Sequence, residues 1–143
     1  MNTSWCVLLV KKNLTDFKDL LIEKKVLTVL SVARENKAPH TTPVWFETSE
    51  ESLKNNEISF NSNKSRIKGK IIQLGTPIIM TILDPENVFR YISMAGSVSQ
   101  VVDGKEAFDH INQLSQKYLG KDYPFLQPNE ERVKFVFKIT KVY

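Results

Sequence analysis

Glu57–Leu74, EISFNSNKSRIKGKIIQL, carries the chain from a strand into a helix through a polar, basic turn. Ile58 and Phe60 alternate with Ser59 and Asn61, the period-two pattern of a strand with one buried face. Ile67, Ile71 and Leu74 then recur at i, i+4 and i+7. That spacing predicts a helix of about two to three turns, with Arg66, Lys70 and Gln73 on its polar side. Cations at a helix start oppose the helix dipole unless an anion is bound, because the first N–H groups already form the positive end. Ser62 and Ser65 are expected to cap those N–H groups. With Arg66 and Lys68 they make this corner a candidate phosphate site.

Upstream, Val26–Ala33 (VLTVLSVA) and the later HTTPVWFE, separated by the polar RENKAP, read as a β-hairpin. Pro43 cannot donate to a ladder, so its strand is expected at an edge or a bulge, with free backbone to offer a ligand. Trp45 and Phe46 point to opposite faces, which places one in the core; Trp45 is expected toward the ligand. Thr15 followed by DFKDLLIEKK predicts an amphipathic helix capped by Thr15, with Asp16 in its first turn and Phe17, Leu20 and Leu21 on one side. TSEESLKNN reads as a polar loop.

Downstream, Gly75 and Pro77 end the basic helix, and IIMTIL reads as a buried strand closed by the turn DPEN. Phe89–Val102 reads as a long strand that Gly96 bends. Within it Arg90 and Tyr91 are expected as a surface cation and a cross-strand packing residue. Asp103 and Glu106 have capping-box spacing, and Ala107, Ile111, Leu114 and Tyr118 repeat at helical spacing until Gly120. His110 is expected at that helix's surface, partly exposed and without a role. After the connector DYPFLQPNEE, Val133, Phe135, Phe137 and Ile139 alternate in a last strand. Five or six strands, three helices and no βαβ rhythm predict an α+β protein whose antiparallel sheet closes on itself.

The 143 residues suffice for one domain with its own core. Twenty Lys and Arg against sixteen Asp and Glu give a charge of +4, a slight bias toward anionic partners. No basic stripe with interleaved aromatics is present, so nucleic acid is not an expected partner. Cys6 is the sole cysteine, which excludes an internal disulfide and fits a reducing compartment. The apolar run Trp5–Val10 is too short for a membrane span and follows no basic region, so the cytoplasm is the expected location and no membrane is an expected partner. The histidines and the cysteine lack HxxxH or CxxC spacing, and no metal site is expected. GxSxG, GxxxxGK and GxGxxG are missing too.

In order along the chain, LTVLSV with PHTTPVWF, then ISFNSNKSRIKGK, LDPENVFRYISMAGSV, and DGKEAFDHINQLSQKYLG before DYPF together resemble the pyridoxamine 5′-phosphate oxidase-like superfamily. The likeness is to its small flavin- and deazaflavin-dependent oxidoreductases. It spans residues 15–143 and leaves residues 1–14 as an N-terminal extension. The resemblance implies an α+β split β-barrel of about six antiparallel strands with flanking helices. It further implies a homodimer with cofactor sites between the subunits. In that family the strand matching Thr41–Trp45 runs beside an isoalloxazine-type ring, so His40, Thr41, Thr42, Pro43, Val44 and Trp45 are candidate cofactor contacts. The segment matching Asn61–Lys68 takes the cofactor phosphate, which adds Asn61, Ser62, Ser65, Arg66, Ile67 and Lys68, with Arg66 and Lys68 as the cations. Related sequences often carry Asn where Ile71 stands; here that side chain is read as packing.

The implied function is an oxidoreductase that moves hydride between bound coenzyme F420 or FMN and a small organic substrate. The PVWF and LDPENVFRY blocks look most like the deazaflavin branch, while close relatives hold FMN. The cofactor would do the chemistry, so no catalytic side chain is assigned, and His40 is not required as a general acid. The alternative is a non-enzymatic flavin- or tetrapyrrole-binding module on the same barrel.

Overall fold

The computed structural model describes residues 12–143; Cys6, Lys11 and the run Trp5–Val10 lie outside them. The chain enters through a 3-10 turn at Leu14–Phe17 and a π-helical turn at Asp19–Glu23, which bury Leu14, Phe17, Leu20 and Leu21. The apolar spacing is as expected, but Thr15 is not the cap. Asn13 fills that place, its side-chain oxygen accepting from the Thr15 N–H at 3.1 Å.

Seven strands follow: β1 (Thr28–Arg34), β2 (Lys37–Val44), β3 (Phe46–Glu47), β4 (Glu57–Asn63), β5 (Pro77–Leu83), β6 (Tyr91–Val102) and β7 (Arg132–Val142). Each pairs antiparallel with its neighbours in the order β2-β1-β5-β6-β7-β4-β3. The two edge strands are consecutive in the chain and separated by Trp45 alone. The sheet therefore curls until its ends come within one residue of each other, and β2 with β3 form a single bent strand. This is the α+β split β-barrel. Pro43 lies on the edge strand β2, where its missing N–H breaks no second ladder.

Alternation along the strands fills the barrel. Leu30, Phe46, Ile58, Phe60, Met80, Ile82, Ile92, Met94, Phe135 and Phe137 are fully buried, each contributing on the order of 1.5–3 kcal/mol of transfer free energy. Gly96 sits where the β6–β7 register slips, and a Cβ there would lie 1.9 Å from the Lys138 carbonyl oxygen. Only glycine permits that approach, so the expected bend has a steric cause.

Three helices flank the barrel. TSEESLKNN is not all loop: α1 (Glu50–Lys54) starts at Ser49, whose Oγ accepts from the Ser52 N–H at 3.1 Å while Ser52 Oγ accepts from the Ser49 N–H at 2.7 Å. Serine stands where a capping box usually has Glu or Gln, which hid the signal. The basic helix α2 (Ile67–Ile71) has five residues, fewer than the spacing predicted, and buries none of them fully. Ile67 and Leu74 are exposed; Ile71 packs partly against the core, and Ile72 is the buried residue.

The third helix, α3 (Gly104–Leu119), buries Ala107, Ile111 and Leu114 against the sheet as expected. Asp103 has the backbone of an N-cap but makes no capping bond. Its carboxylate instead pairs with Lys64 at 3.0 Å, and Glu106 faces Lys134 at 3.5 Å. No helix among the described residues is long and apolar enough to cross a membrane.

Candidate functional site

The β2–β3 corner, β4, α2, α3 and the connector into β7 enclose a cleft of about 280 Å³. One wall is aromatic. The Trp45 ring stacks on Tyr118 with centroids 5.1 Å apart and planes 3° from parallel; Tyr123 meets Trp45 edge-on at 6.0 Å, and Phe125 meets Tyr123 at 5.6 Å. Tyr118 fixes the corner, its O–H donating to the Val26 carbonyl at 2.6 Å and accepting from the Phe46 N–H at 3.4 Å. Burial pushes its phenol up to about 12, so it stays protonated in that role. Phe46 points into the core and Trp45 onto the cleft.

The rest of the lining is largely polar and cationic, formed by Asn61, Ser62, Asn63, Arg66, Lys68 and Arg132. Neither Ser62 nor Ser65 caps α2. Asn63 Oδ1 accepts from both the N–H and the hydroxyl of Ser65 at 2.8 Å, Ser62 Oγ donates to the Asn63 carbonyl, and the N-cap residue is Arg66 without a side-chain bond. Asparagine makes the tighter local turn because its carbonyl reaches the N–H two residues on. Gly69 lets α2 lie on that turn, since a Cβ there would stand 2.3 Å from the Asn63 carbonyl oxygen. The close approach carries Lys68 to the cleft.

Lys68 is half-buried, and loss of hydration, then Arg66 and Arg132, push its ammonium below the ordinary 10.5. Three nearby cations have carboxylate partners: Lys64 with Asp103, Lys134 with Glu106, and Arg132 with Glu130 at 3.0 Å. Among the described residues, Arg66, Lys68 and Lys70 have none within 4.0 Å, and of these Arg66 and Lys68 line the cleft.

The predicted residues divide between two adjoining spaces. Pro43, Val44, Trp45, Asn61, Ser62, Arg66 and Lys68 line the cleft. His40, Thr42, Ser65 and Ile67 line a neighbouring recess of about 390 Å³ that shares Arg66 and Lys68. Thr41 lines neither, and its Oγ1 lies 3.0 Å from Ser31 Oγ. His40 Nε2 is buried without a hydrogen-bond partner, and desolvation followed by Lys68 and Arg34 lowers its imidazole below the ordinary 6.5. His40 is therefore neutral at pH 7.

His110 is not a surface residue. It is 2% exposed and sits behind Asn61, whose Nδ2 lies 3.0 Å from His110 Nδ1 and donates to the Ala107 carbonyl at 2.9 Å. Asn61 Oδ1 accepts from Arg132 Nε at 2.9 Å. On the far side, His110 Nε2 lies 3.3 Å from Ser59 Oγ and 3.2 Å from Glu47 Oε2, the latter close but off the hydrogen-bonding direction. Tyr123, Phe125 and Arg132 were missed by the sequence reading. Their signals were the two aromatics in the DYPF connector and an arginine opening an otherwise apolar strand.

No protein-family model matches the sequence, and no curated protein does. Solved structures do. An F420 reductase superimposes with a TM-score of 0.71 at 23% identity over 88% of this chain and 94% of its own. An FMN-binding protein from Syntrophomonas wolfei subsp. wolfei gives 0.61 at 17% identity over 99% and 91%. A putative pyridoxamine 5′-phosphate oxidase from Listeria innocua gives 0.62 at 13% identity over 92% and 97%. The chain has the split β-barrel fold these proteins share.

Proposed function

We propose that the chain binds a phosphorylated flavin-type cofactor, FMN or the deazaflavin coenzyme F420, and acts as an oxidoreductase on a small organic substrate. The observation that carries this reading is the pair Arg66 and Lys68 at the cleft. Lys68 has lost hydration without gaining a carboxylate, and a phosphate would supply the missing negative charge. Arg132 lines the same wall and adds a planar donor. The F420 reductase and the FMN-binding protein on the same fold support the class of cofactor.

When bound, the isoalloxazine-type ring supplies hydride transfer. The chain's own residues bind, orient and shield. Arg66, Lys68 and Arg132 would hold the phosphate, the edge of β2 would offer backbone groups at the corner, and Trp45 with Tyr123 would cover apolar surface. Two copies would pair through the outer face of β1, β5 and β6. Ile79, Leu83 and Tyr91 are exposed there, and the Thr81 and Ser93 hydroxyls bond each other at 2.7 Å.

Among the described residues, no Asp, Glu, His or Cys lines the cleft, which suits a cofactor that needs no protein acid or base. The same feature favours the second reading, a binding module without turnover. Titrating the purified protein with FMN and with F420, followed by absorbance, tests binding; assaying the loaded protein with electron acceptors separates enzyme from module. Arg66→Ala and Lys68→Ala should each weaken the tighter ligand by about 1–3 kcal/mol. Unchanged affinity in both variants would remove the phosphate from this corner.

A further inference from the structure

We infer that His110 is a positioning residue for this cleft: together with the Ala107 carbonyl it accepts both amide hydrogens of Asn61 and so locks the amide with Oδ1 toward the Arg132 guanidinium at the polar wall. The inference rests on that wall being an anion site. The Ala107 carbonyl can only accept, so the atom 2.9 Å from it must be the Asn61 amide nitrogen. The second amide hydrogen then faces His110 Nδ1 at 3.0 Å, which must present a lone pair. The imidazole proton consequently sits on Nε2, facing Ser59 Oγ and Glu47.

Asn61 Oδ1 is left for Arg132 Nε at 2.9 Å, while Nη1 donates to Glu130. The guanidinium is held by those two N–H groups and the Tyr123 ring, 5.2 Å from its carbon, and keeps its remaining donors for a ligand. Reversing the amide would set oxygen against the Ala107 carbonyl and an NH₂ against a cation. Asn61 is 8% exposed, and the Arg132 and Glu130 side chains are 8% and 6% exposed, so water offers little compensation. His110 touches no cleft surface of its own. Its role passes through Asn61.

Two NMR measurements test this without a ligand. Proton–nitrogen correlation on the histidine-labelled wild type at pH 7 should show His110 neutral, with Nε2 protonated and Nδ1 bare. Protonated Nδ1 would overturn the inference. The Arg132 Nε–H resonance should be slow to exchange in wild type and in His110→Asn, whose amide oxygen can replace Nδ1, and about tenfold faster in His110→Leu, where the Ala107 carbonyl alone holds the amide. An exchange rate unchanged in His110→Leu would also overturn it.

With FMN and F420 as probes, His110→Leu should weaken binding about tenfold and His110→Asn should recover to within about threefold. In an Arg132→Gln background the His110→Leu loss should shrink to less than about twofold, because the contact it supports is gone. Losses that multiply would mark His110 as merely structural. A wild type with the expected tautomer and the slow Arg132 signal that binds neither probe would refute the cofactor reading and uphold the geometry.

Discussion

Arg90 and Lys68 are two cations on one barrel in opposite electrostatic conditions. Arg90 donates to Asp19 Oδ1 and Oδ2 at 2.7 and 2.8 Å, to Asp84 Oδ2 at 2.9 Å and to the Asp16 carbonyl at 2.9 Å, and lies 4.8 Å over the Phe17 ring. It ties the entry turns to the DPEN turn, and those bonds raise its pKa further above the ordinary arginine value. Lys68 has cations for neighbours and a lowered pKa. A cation saturated by its own chain holds the fold; one half-buried without a carboxylate is the one proposed above to take an anion. Charge count alone does not separate the two, whereas partner count does.

Replacing the saturated cation should have the largest effect. Arg90→Leu leaves two carboxylates facing each other without their common partner and should lower Tm by about 5 °C or more. Affinity for FMN or F420 should not change. If Arg90→Leu lost ligand while holding its Tm, the division between the two regions would fail. Gly69→Ala should come next. Its Cβ would collide with the Asn63 carbonyl oxygen and push α2 outward, weakening ligand binding about tenfold with a Tm loss of about 2–4 °C. Isothermal titration beside a thermal melt reads both.

Lys68→Met should do the reverse of Arg90→Leu. Removing a desolvated, unpaired cation should raise the Tm of the ligand-free protein by about 1–2 °C while weakening ligand binding about tenfold. A lower Tm would mean that Lys68 has a structural partner and belongs with Arg90.

The barrel was legible because its determinants are local. Alternation in Ile58–Phe60 and Val133–Ile139, the proline in β2 and the glycine in β6 each act within a few residues. The cationic pair was legible as well, since Arg66 and Lys68 follow a strand directly. Side chains whose partners lie far along the chain were not. His110 reads as a polar residue beside an apolar helical face, and its burial depends on Asn61, which lies 49 positions away. Asp103 has the sequence of a cap, but Lys64 outcompetes its own helix for the carboxylate. The length of α2 was overestimated because periodicity in Ile67, Ile71 and Leu74 says nothing of where the backbone turns to bury Ile72.

The smallest effect expected is a divergence in pH dependence. Asp19 is lowered from 3.8 to about 2, first by its hydrogen bond to Arg90. Its unfolded form takes up a proton more readily, so the stability it contributes is full above about pH 4 and is lost as pH falls toward 2. The Tm gap between wild type and Arg90→Leu should therefore narrow across that window.

Lys68 shifts the other way in its consequence. Its folded pKa lies below the unfolded value of 10.5, so in the alkaline window between them the unfolded chain holds more protons and the fold gains stability as pH rises. The Tm advantage of Lys68→Met should accordingly shrink from pH 7 toward pH 10.5, while wild-type affinity for FMN or F420 falls over the same interval as the ammonium is lost. An advantage that stays constant through this range would show that Lys68 is as well hydrated as an ordinary surface lysine, and the cation would then give no reason to place a phosphate beside it.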